Sequence, residues 1–449
     1  MRDPRVSCLT ATRLAHNRNS SVSKKRVTAG TAVGGVCAER SFEMKPLSGI
    51  RVLDLTKVLA GPMCTQYLGD LGAEIIKIEP LGVGDETRQW PPFRAATGSV
   101  FLSCNWNKKS VAVDLKTARG REIVHRLARD SDVVVESFGT GVSGRLGVDY
   151  ETLRAINDKL IYCSISGFGR TGPLANALGY DVIAQAFSGI MSMTGEPGGG
   201  PVRSPFSPVD QTTGTHAASG ILAALMNRTK TGEGACLEVS LFETAVAFLG
   251  YNLQIFWEKG MLPEKCGSGH ESLCPYQAFD ASDKPVLLGI ANDNLWRRFC
   301  KAVEREAWID DPRFRTNPDR VKNRAATISA VQELIRQRSS EDWVPLLTEN
   351  GVPCAAINSI ADMLNHEHTV ARGIVLDYQH PELGALKTIA QPIVFNGAKR
   401  TPGSPPPRHG QSTQEVLTFL GYSQGEIDSF ARSRVIELAE TSSGSGEQG

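Results

Sequence analysis

The chain has 449 residues, of which 41% are hydrophobic and 22% charged, and its formal net charge is +1. This balance is typical of a globular protein and lacks the basic excess expected of a protein that binds nucleic acid. No apolar run approaches the roughly eighteen residues of a membrane span, so we expect no membrane segment. The ten cysteines form no CxxC pair, which argues against structural zinc and favours reduced thiols in a reducing compartment.

Residues 1–44 differ in composition from the rest of the chain. They are rich in Arg, Lys, Ser and Thr, and Asp3 is followed by no further acidic residue until Glu39. Such a leader is typical of a mitochondrial presequence, but no amphipathic apolar face accompanies it. Because Met44 directly precedes the first ordered pattern, an over-extended start codon or a disordered tail is the favoured interpretation. We therefore predict a cytoplasmic protein, with the mitochondrial matrix as the alternative.

From Gly49 onward, strand-like and helix-like segments alternate. The predicted strands are 50–56, 73–79, 110–115, 132–137 and 160–166, and the predicted helices are 60–73, 117–130 and 150–156. This alternation indicates an α/β fold with a mostly parallel, helix-covered sheet. Ligands of such sheets bind beyond the carboxyl ends of the strands, so functional residues are expected in the loops that follow them.

Three of these loops carry glycine or basic residues. The loop GVGDETR brings Arg88 to a place where an anion could bind, and NWNKKSVAVDLK contains three lysines. The loop ESFGTGVSGRLG contains Phe138 and Arg145. An aromatic face beside cations suits an adenine and phosphates. Considered in isolation, an ordinary turn and solvated loops are the alternatives.

The stretch from Val202 to Gly234 predicts an irregular, proline-punctuated approach and then a helix from Asp210 to about Lys230. Asp210 is expected to be the N-cap, and the helix dipole should keep its carboxylate ionised at neutral pH. An ionised carboxylate can be a nucleophile, although an ordinary cap is the commoner role. Small residues along the helix, beginning with Gly214, predict close packing against another backbone.

The remainder of the chain predicts a further strand at 235–241, one long apolar helix at 242–257, and a smaller α+β unit. In that unit strands are expected at 276–280 and 286–290, with helices at 292–303, 324–338 and 340–350. From Met363 the pattern becomes strand-rich, and the tail after Ala439 is expected to be disordered.

Short catalytic motifs are few in this sequence. The run HEH at 366–368 lacks a third ligand in a sensible context, so no metal site is predicted. The sequence contains no GxSxG elbow, Walker loop or HExxH motif, which leaves the ordinary hydrolase, kinase and metalloprotease classes without support.

The ordered series of segments is more informative than any one of them. GIRVLDLTKVLAGP, GAEIIKIEPLGVGDETR, NKKSVAVDLK, VVVESF, ISGFGRTGP and GYDVIAQAFSG precede a lone Asp before a small-residue helix that ends in KTGEG. Over about residues 46–430 this series resembles the class III CoA-transferase (CaiB/BaiF) family. The resemblance implies a Rossmann-like large domain, a smaller inserted α+β domain and an interlocked homodimer. The expected divisions are a leader at 1–44, large-domain segments at 45–250 and 363–438, a small domain at 251–362, and a tail at 439–449.

The resemblance also implies an active site. Asp210 takes the position of the nucleophile, which would form an acyl-aspartyl anhydride and then an aspartyl-CoA thioester. The substrates would be an acyl-CoA and a small carboxylic acid, with neither a metal nor a tightly bound cofactor. The implied CoA-binding positions are Leu59, Ala60, Val113, Asp114, Leu115, Lys116, Ser137, Phe138, Gly139, Arg145, Leu178, Gly179, Tyr180 and Asp181.

The sequence departs from the formyl-CoA branch of the family. That branch has Gln in place of Leu59, Arg in place of Pro80, and a glycine run where this chain reads GSGHESLCPY. These departures argue against formyl-CoA and oxalate, and the form of the loop resembles the succinyl-CoA:dicarboxylate branch. In that branch Gly269 and His270, or Arg203, would face the acceptor carboxylate.

Three alternatives belong to other functional classes. An α-methylacyl-CoA racemase would need a His-Asp pair where this chain has Tyr180-Asp181. A non-catalytic acyl-CoA-binding protein would use Asp210 only as a helix cap. A nicotinamide dinucleotide site is disfavoured because no GxGxxG opens the first helix.

Overall fold

The computed structural model describes residues 44–380, 383–398 and 401–439. The predicted leader at 1–44, apart from Met44, and the tail beyond Ala439 lie outside these residues. The strands are β1 (Arg51–Leu55), β2 (Glu74–Glu79), β3 (Phe93–Arg94), β4 (Thr97–Gly98), β5 (Lys108–Val113), β6 (Val133–Glu136), β7 (Ile161–Ser166), β8 (Ala235–Ser240), β9 (Tyr276–Asp280), β10 (Pro285–Gly289), β11 (Cys354–Ala356), β12 (Val375–His380), β13 (Gly384–Ile389) and β14 (Ile436–Glu437).

A short 3-10 helix, Glu86–Gln89, follows β2. The α-helices are α1 (Ala60–Asp70), α2 (Ser99–Cys104), α3 (Ala118–Arg129), α4 (Val142–Arg145), α5 (Tyr150–Arg154), α6 (Asp181–Phe187), α7 (Ile190–Met193), α8 (Pro208–Thr231), α9 (Leu241–Leu249), α10 (Tyr251–Lys259), α11 (Asp293–Ala302), α12 (Ala307–Asp310), α13 (Asn317–Lys322), α14 (Arg324–Ile335), α15 (Ser340–Glu349), α16 (Ile360–Asn365), α17 (Glu367–Ala371), α18 (Thr413–Phe419) and α19 (Gln424–Arg432).

The central sheet has the order β14-β5-β2-β1-β6-β7-β8. All of its pairings are parallel except that of β14, which runs antiparallel to β5. The chain proceeds outward from β1 to β2 and β5, and then begins again on the other side with β6, β7 and β8. The sheet therefore changes its direction of winding between β1 and β6, and the predicted α/β class is confirmed.

Alternate residues of the buried strands enter two separate cores. Val52 of β1 packs in the core that contains α1 and α8, whereas Leu53 packs in the core that contains α3, α18 and α19. Side chains point to opposite faces at successive strand positions, so a strand covered on both faces is apolar throughout. This explains why the sequence marks these strands as continuous apolar runs.

Residues 276–356 build a smaller antiparallel sheet, β11-β10-β9. Its core is largely aromatic and includes Phe279, Trp296, Phe299 and Trp343, all buried. The predicted strands and the three longer helices of this region are found at the expected places. The domain boundaries themselves stay predictions.

The long apolar helix predicted at 242–257 is wrong. It is two helices, α9 and α10, separated at Gly250, whose φ of 47° and ψ of −124° lie outside helical geometry. Glycine tolerates such angles, so the apolar run continues while the helix does not. Among the described residues, no helix combines the length and apolar character needed to cross a bilayer.

Candidate functional site

A cavity of about 220 Å³ lies beyond the carboxyl ends of β1, β6 and β7. Its walls come from residues 57–61, 137–140, 165–167 and 175–180, together with Glu86, Arg170, Asp210 and Leu241. This is the point where the winding of the sheet reverses, so the loops after β1 and β6 leave in opposite directions and open a crevice between them.

Hydrogen bonds between neighbouring loops fix the cavity wall. The backbone N–H of Lys57 donates to the hydroxyl of Ser137 over 3.1 Å, which joins the loop after β1 to the loop after β6. The Arg170 guanidinium donates to the carbonyl of Phe138 (2.7 Å) and to the carboxylate of Glu136 (2.8 Å). The same carboxylate accepts the N–H of Phe138 over 2.7 Å. Arg170 thus ties the loop after β7 to the loop after β6.

Two glycines let the loops of the wall approach each other. A methyl group placed on Gly167 would lie 2.7 Å from the Cα of Gly179, closer than side-chain carbons approach a backbone. Both residues line the cavity. Glycine is needed at both positions because two backbones, with no side chain between them, form this part of the wall.

A buried charge network supports the loop after β1. Lys77 donates to the carbonyl of Thr56 over 2.8 Å and forms an ion pair with Asp85 at 3.0 Å. Asp85 in turn accepts the N–H of Val58 over 3.3 Å. Val58 has a φ of 71°, a left-handed conformation that costs a β-branched residue about 1–3 kcal/mol. The network therefore holds the backbone at the mouth of the cavity in a strained conformation.

Helices α1 and α8 bring their N-termini to the same cavity. Leu59, the residue before α1, makes no side-chain capping bond, and the first turn of α1 contains no acidic residue. The first N–H groups of a helix have no partner within the helix, so those of α1 can receive a developing negative charge. Leu59, Ala60 and Gly61 line the cavity with Asp210 of α8.

Asp210 is the third residue of α8, and the prediction that it is the N-cap is wrong. The helix begins at Pro208, and the cap position is Ser207. The N–H groups of Val209 and Asp210 donate instead to the carboxylate of Asp181, at 2.8 and 3.1 Å. Within the described chain, the Asp210 carboxylate itself accepts no hydrogen bond. It is therefore free to face the cavity.

The expectation that Asp210 is fully ionised at neutral pH also needs correction. Burial, followed by the negative charge of Asp181, raises the pKa of Asp210 from 3.8 to about 7. Burial removes water that would solvate the carboxylate, and a neighbouring like charge disfavours a second one. Near pH 7 the group is divided between its acid and carboxylate forms.

The structure brings together more than half of the site residues inferred from the sequence. The residues that line the cavity are Leu59, Ala60, Ser137, Phe138, Gly139, Leu178, Gly179, Tyr180 and Asp210. They come from four separate stretches of the chain, which the topology places at one edge of the sheet. The predicted CoA-binding positions among them therefore share one cavity with Asp210.

The other inferred residues do not line this cavity in the single chain, and their roles stay predictions. Val113 and the loop Asp114, Leu115 and Lys116 lie two strands away, where the Asp114 N–H donates to the carbonyl of Val435 (2.9 Å). Arg145 is exposed at the end of α4. Asp181 is buried and does not line the cavity.

The loop containing Gly269 and His270 also lies outside the cavity wall. His270 Nε2 is 3.4 Å from the hydroxyl of Tyr251, and its Nδ1 accepts the N–H of Ser272 over 3.1 Å. The ring stacks on Tyr251 and meets the edge of Tyr276. His270 is thus held in a defined orientation by its neighbours.

Three of the basic residues that suggested anion sites in these loops already pair with carboxylates. Arg88 is buried and donates two hydrogen bonds to Glu79, at 2.7 and 2.8 Å. Lys108 is buried against Asp54 at 3.1 Å, whereas Lys109 pairs with two surface carboxylates. Arg88 and Lys108 are paired inside the fold and Lys109 is paired at the surface, so none of the three offers a free charge to a phosphate. The exposed Lys116 of the same loop stays a predicted CoA-binding residue.

Arg170 and Lys57 are charged residues of the cavity that sequence reasoning missed. Arg170 lies in GFGRTGP, directly after β7, so its position at the carboxyl end of a strand was the available signal. Lys57 follows β1 in the same way and pairs with Glu86 at 2.8 Å. Among residues 44–380, 383–398 and 401–439, no cluster of three or more His, Cys, Asp or Glu is arranged to hold a metal ion.

Comparisons with known proteins agree with this geometry. The family model described as CoA-transferase family III matches residues 47–413. Succinyl-CoA:glutarate CoA-transferase of Mus musculus is 39% identical over 400 residues, which cover 89% of this chain and 92% of that protein. Succinate--glutarate CoA-transferase of Agrobacterium fabrum is 37% identical over 382 residues, covering 84% and 96%. A CAIB/BAIF family crystal structure from Brucella suis superposes with a TM-score of 0.74 at 35% identity, covering 84% and 99%.

Proposed function

The chain belongs to CoA-transferase family III, and we propose that it moves CoA between carboxylic acids through covalent intermediates on Asp210. CoA transfer is its activity and CoA thioesters are its substrates. The observation that supports Asp210 as the nucleophile is its unbonded carboxylate in a cavity that also receives the N-terminus of α1. The racemase alternative has no comparable support.

The reaction we propose begins with the ionised form of Asp210. A carboxylate oxygen attacks the thioester carbonyl of the donor, the C–S bond breaks, and a mixed anhydride and CoA thiolate form. The thiolate then attacks Cγ of Asp210, giving an aspartyl-CoA thioester and releasing the donor acid. The N–H groups of Ala60 and Gly61, the first two residues of α1, would stabilise the oxyanion of each addition, whereas Pro62 has no N–H to contribute.

The second half of the reaction repeats these steps with the acceptor. The acceptor carboxylate attacks the aspartyl thioester, the C–S bond breaks, and a new mixed anhydride forms. CoA thiolate then attacks the acceptor acyl carbon and releases Asp210 as a carboxylate. Each step exchanges one activated acyl bond for another, so we propose that the enzyme needs no tightly bound cofactor.

We propose that donor and acceptor are dicarboxylic acids, with succinyl-CoA as the donor. The relatives named above act, by their names, on succinate and glutarate. His270 is oriented by Tyr251 and Ser272, so it can serve as a fixed partner for the remote carboxylate. We expect His270→Gln to raise the KM of a dicarboxylate acceptor about tenfold while leaving the KM of a matched monocarboxylate acceptor unchanged. Equal effects on both acceptors would show that His270 does not bind the remote carboxylate.

We further propose that the enzyme is an interlocked homodimer. Large apolar side chains of α6, α9 and α10 are exposed on the single chain, including Phe187, Phe248, Tyr251 and Trp257. A surface patch of this kind is typical of an interface. The cavity is also smaller than the roughly 300–1,000 Å³ usual for a drug-sized ligand, as expected if a partner completes the site. Light scattering after size exclusion should give twice the mass of the chain.

The experiment that tests the nucleophile is intact-protein mass spectrometry after incubation with succinyl-CoA and then hydroxylamine. Wild type should yield a hydroxamate that maps to Asp210, and Asp210→Asn should yield none. Glu233→Gln, just beyond the other end of α8, is the matched control and should be labelled like wild type. Binding of CoA without an adduct from any acyl-CoA would instead overturn Asp210 as the nucleophile. The cytoplasmic location, with the mitochondrial matrix as alternative, stays a prediction.

A further inference from the structure

Asp181, the first residue of α6, contacts the start of α8 from outside that helix. It is 5% exposed. One of its carboxylate oxygens accepts the N–H groups of Val209 (2.8 Å) and Asp210 (3.1 Å). Its other oxygen accepts the side-chain amide of Gln185, one turn further along α6. Asp181 is not among the residues that line the cavity.

Helix α8 needs such an external cap because its own residues provide none. Ser207, at the cap position, has φ 50° and ψ 57° and makes no side-chain capping bond. Pro208 has no N–H, so Val209 and Asp210 carry the first two free N–H groups of the helix. Asp181 accepts both. The Asp210 carboxylate is consequently not drawn back onto its own helix terminus.

Among the charged groups near Asp210, Asp181 is the one that changes the pKa of its carboxyl group. Helix α1 has no charged residue in its first turn. The cavity cations Lys57 and Arg170 are engaged by Glu86 and Glu136.

On α9, which also packs against α8, the carboxylate of Glu243 accepts the hydroxyl of Ser240 over 2.6 Å. Tyr180, at the end of the preceding loop, lines the cavity beside Asp210. Of these groups, Asp181 is the one whose charge perturbs Asp210, acting in the same direction as burial.

We propose that Asp181 is a positioning residue that caps α8 in place of Asp210, so that the carboxylate of the nucleophile is left free to face the cavity. The negative charge that Asp181 holds at the same helix start also makes the Asp210 carboxylate more basic. This inference rests on the proposed role of Asp210 in CoA transfer. A more basic carboxylate is the stronger nucleophile, but a smaller fraction of it is ionised at a given pH. The charge of Asp181 therefore lowers the activity at acidic pH and raises the reactivity of the ionised enzyme.

The test is the pH profile of kcat/KM for Asp181→Asn, which keeps an oxygen for both N–H groups and removes the charge. We expect the midpoint of the acidic limb to fall by about one pH unit, and kcat above pH 8 to fall severalfold. Asp181→Ser offers a hydroxyl acceptor without charge, and it should move the midpoint in the same direction. An acidic limb that stays in place, or moves to higher pH, in a folded variant overturns the proposal.

Gln185→Leu is the matched control because it loosens the same contact while keeping the charge of Asp181. Its acidic limb should not move to lower pH, and a fall equal to that of Asp181→Asn would show that general loosening, not charge, is responsible. Asp210→Asn distinguishes the proposed role of Asp210 as nucleophile from the proposed role of Asp181. Turnover by Asp210→Asn would refute the nucleophile itself, whereas an inactive Asp210→Asn with an unmoved limb in Asp181→Asn would refute only the role of Asp181.

Discussion

Gly214 of α8 faces the carbonyl oxygen of Ala60 so closely that a methyl group on its Cα would lie 2.6 Å from that oxygen. The same methyl group would lie 3.2 Å from the backbone nitrogen of Cys64. Both atoms belong to the main chain of α1 and cannot rotate away. The distance between α1 and α8, and hence the position of Asp210 relative to the start of α1, is set by the absence of a side chain here.

Gly214→Ala should therefore destabilise the protein and slow the reaction. Overpacking costs about 1–3 kcal/mol, more than the roughly 0.5–1 kcal/mol that alanine gains over glycine in a helix. We expect kcat to fall at least tenfold, because displacement of a reacting group by about 1 Å is severe. Thermal unfolding and steady-state kinetics measure both effects.

Gly220→Ala is the control in the same helix. Its new methyl group meets the side-chain end of Leu237 at 2.9 Å, which can rotate. It should be as stable as wild type or slightly more so. Equal losses in the two variants would contradict the close approach of α1 and α8 as the cause.

The rate of CoA transfer should depend on pH with an acidic limb near 7. The pKa of Asp210 is raised to about 7 by burial and by Asp181, and in the proposed mechanism only the carboxylate attacks the thioester. Below the midpoint kcat/KM should fall tenfold per pH unit. A parallel titration of CoA binding separates loss of reaction from loss of affinity. A profile that is flat down to pH 5.5 would mean that the nucleophile keeps an ordinary carboxyl pKa.

Asp210→Asn should stabilise the fold at alkaline pH. The folded-state pKa, about 7, lies above the unfolded value of 3.8, so the favourable contribution of Asp210 to stability is complete below pH 3.8 and is lost as pH rises through 7. The asparagine variant has no ionisable group at position 210, so its stability does not fall in this way. We expect its free energy of unfolding to exceed that of wild type by on the order of 2–4 kcal/mol at pH 8, and by little near pH 4. Urea unfolding at several pH values measures the difference, and a constant difference would contradict the assignment.

Lys108→Met should destabilise the protein strongly, whereas Lys109→Met should not. Lys108 is fully buried beside Asp54, and its removal leaves a buried carboxylate without its partner, at a cost of about 3–5 kcal/mol. Lys109 is 38% exposed, and its pairs with Glu74 and Glu415 are worth less than about 1 kcal/mol each. Chemical denaturation compares the two. Lys109→Met should also bind CoA like wild type. Weaker binding would indicate that this lysine contacts a phosphate of CoA.

The predictable parts of the fold were those marked by local pattern. Apolar runs such as the one through Val52 and Leu53 identified the buried strands because both faces of the sheet are covered. Small residues such as Gly214 identified the helix that packs closely. The cavity could be anticipated because β-α-β topology brings the carboxyl ends of parallel strands to one edge.

The parts that could not be predicted depend on partners distant in sequence. An aspartate near a helix start suggests a cap, but the cap of α8 comes from Asp181, which lies in another helix. Lys108 lies in a stretch rich in lysine that suggests a surface loop, and only the pairing of β1, β2 and β5 brings it to the buried Asp54. The raised pKa of Asp210 follows from burial, which no local pattern records.

The short strand β14 has a consequence for handling the protein. It pairs with Val113 and Ala112 along the outer edge of β5, and thereby covers backbone groups that would otherwise be open to a strand of another molecule. Chain shortening or proteolytic nicking before Ile436 would uncover that edge. Material trimmed in this way should aggregate by sheet extension even though the loops that line the cavity, at the ends of other strands, are intact.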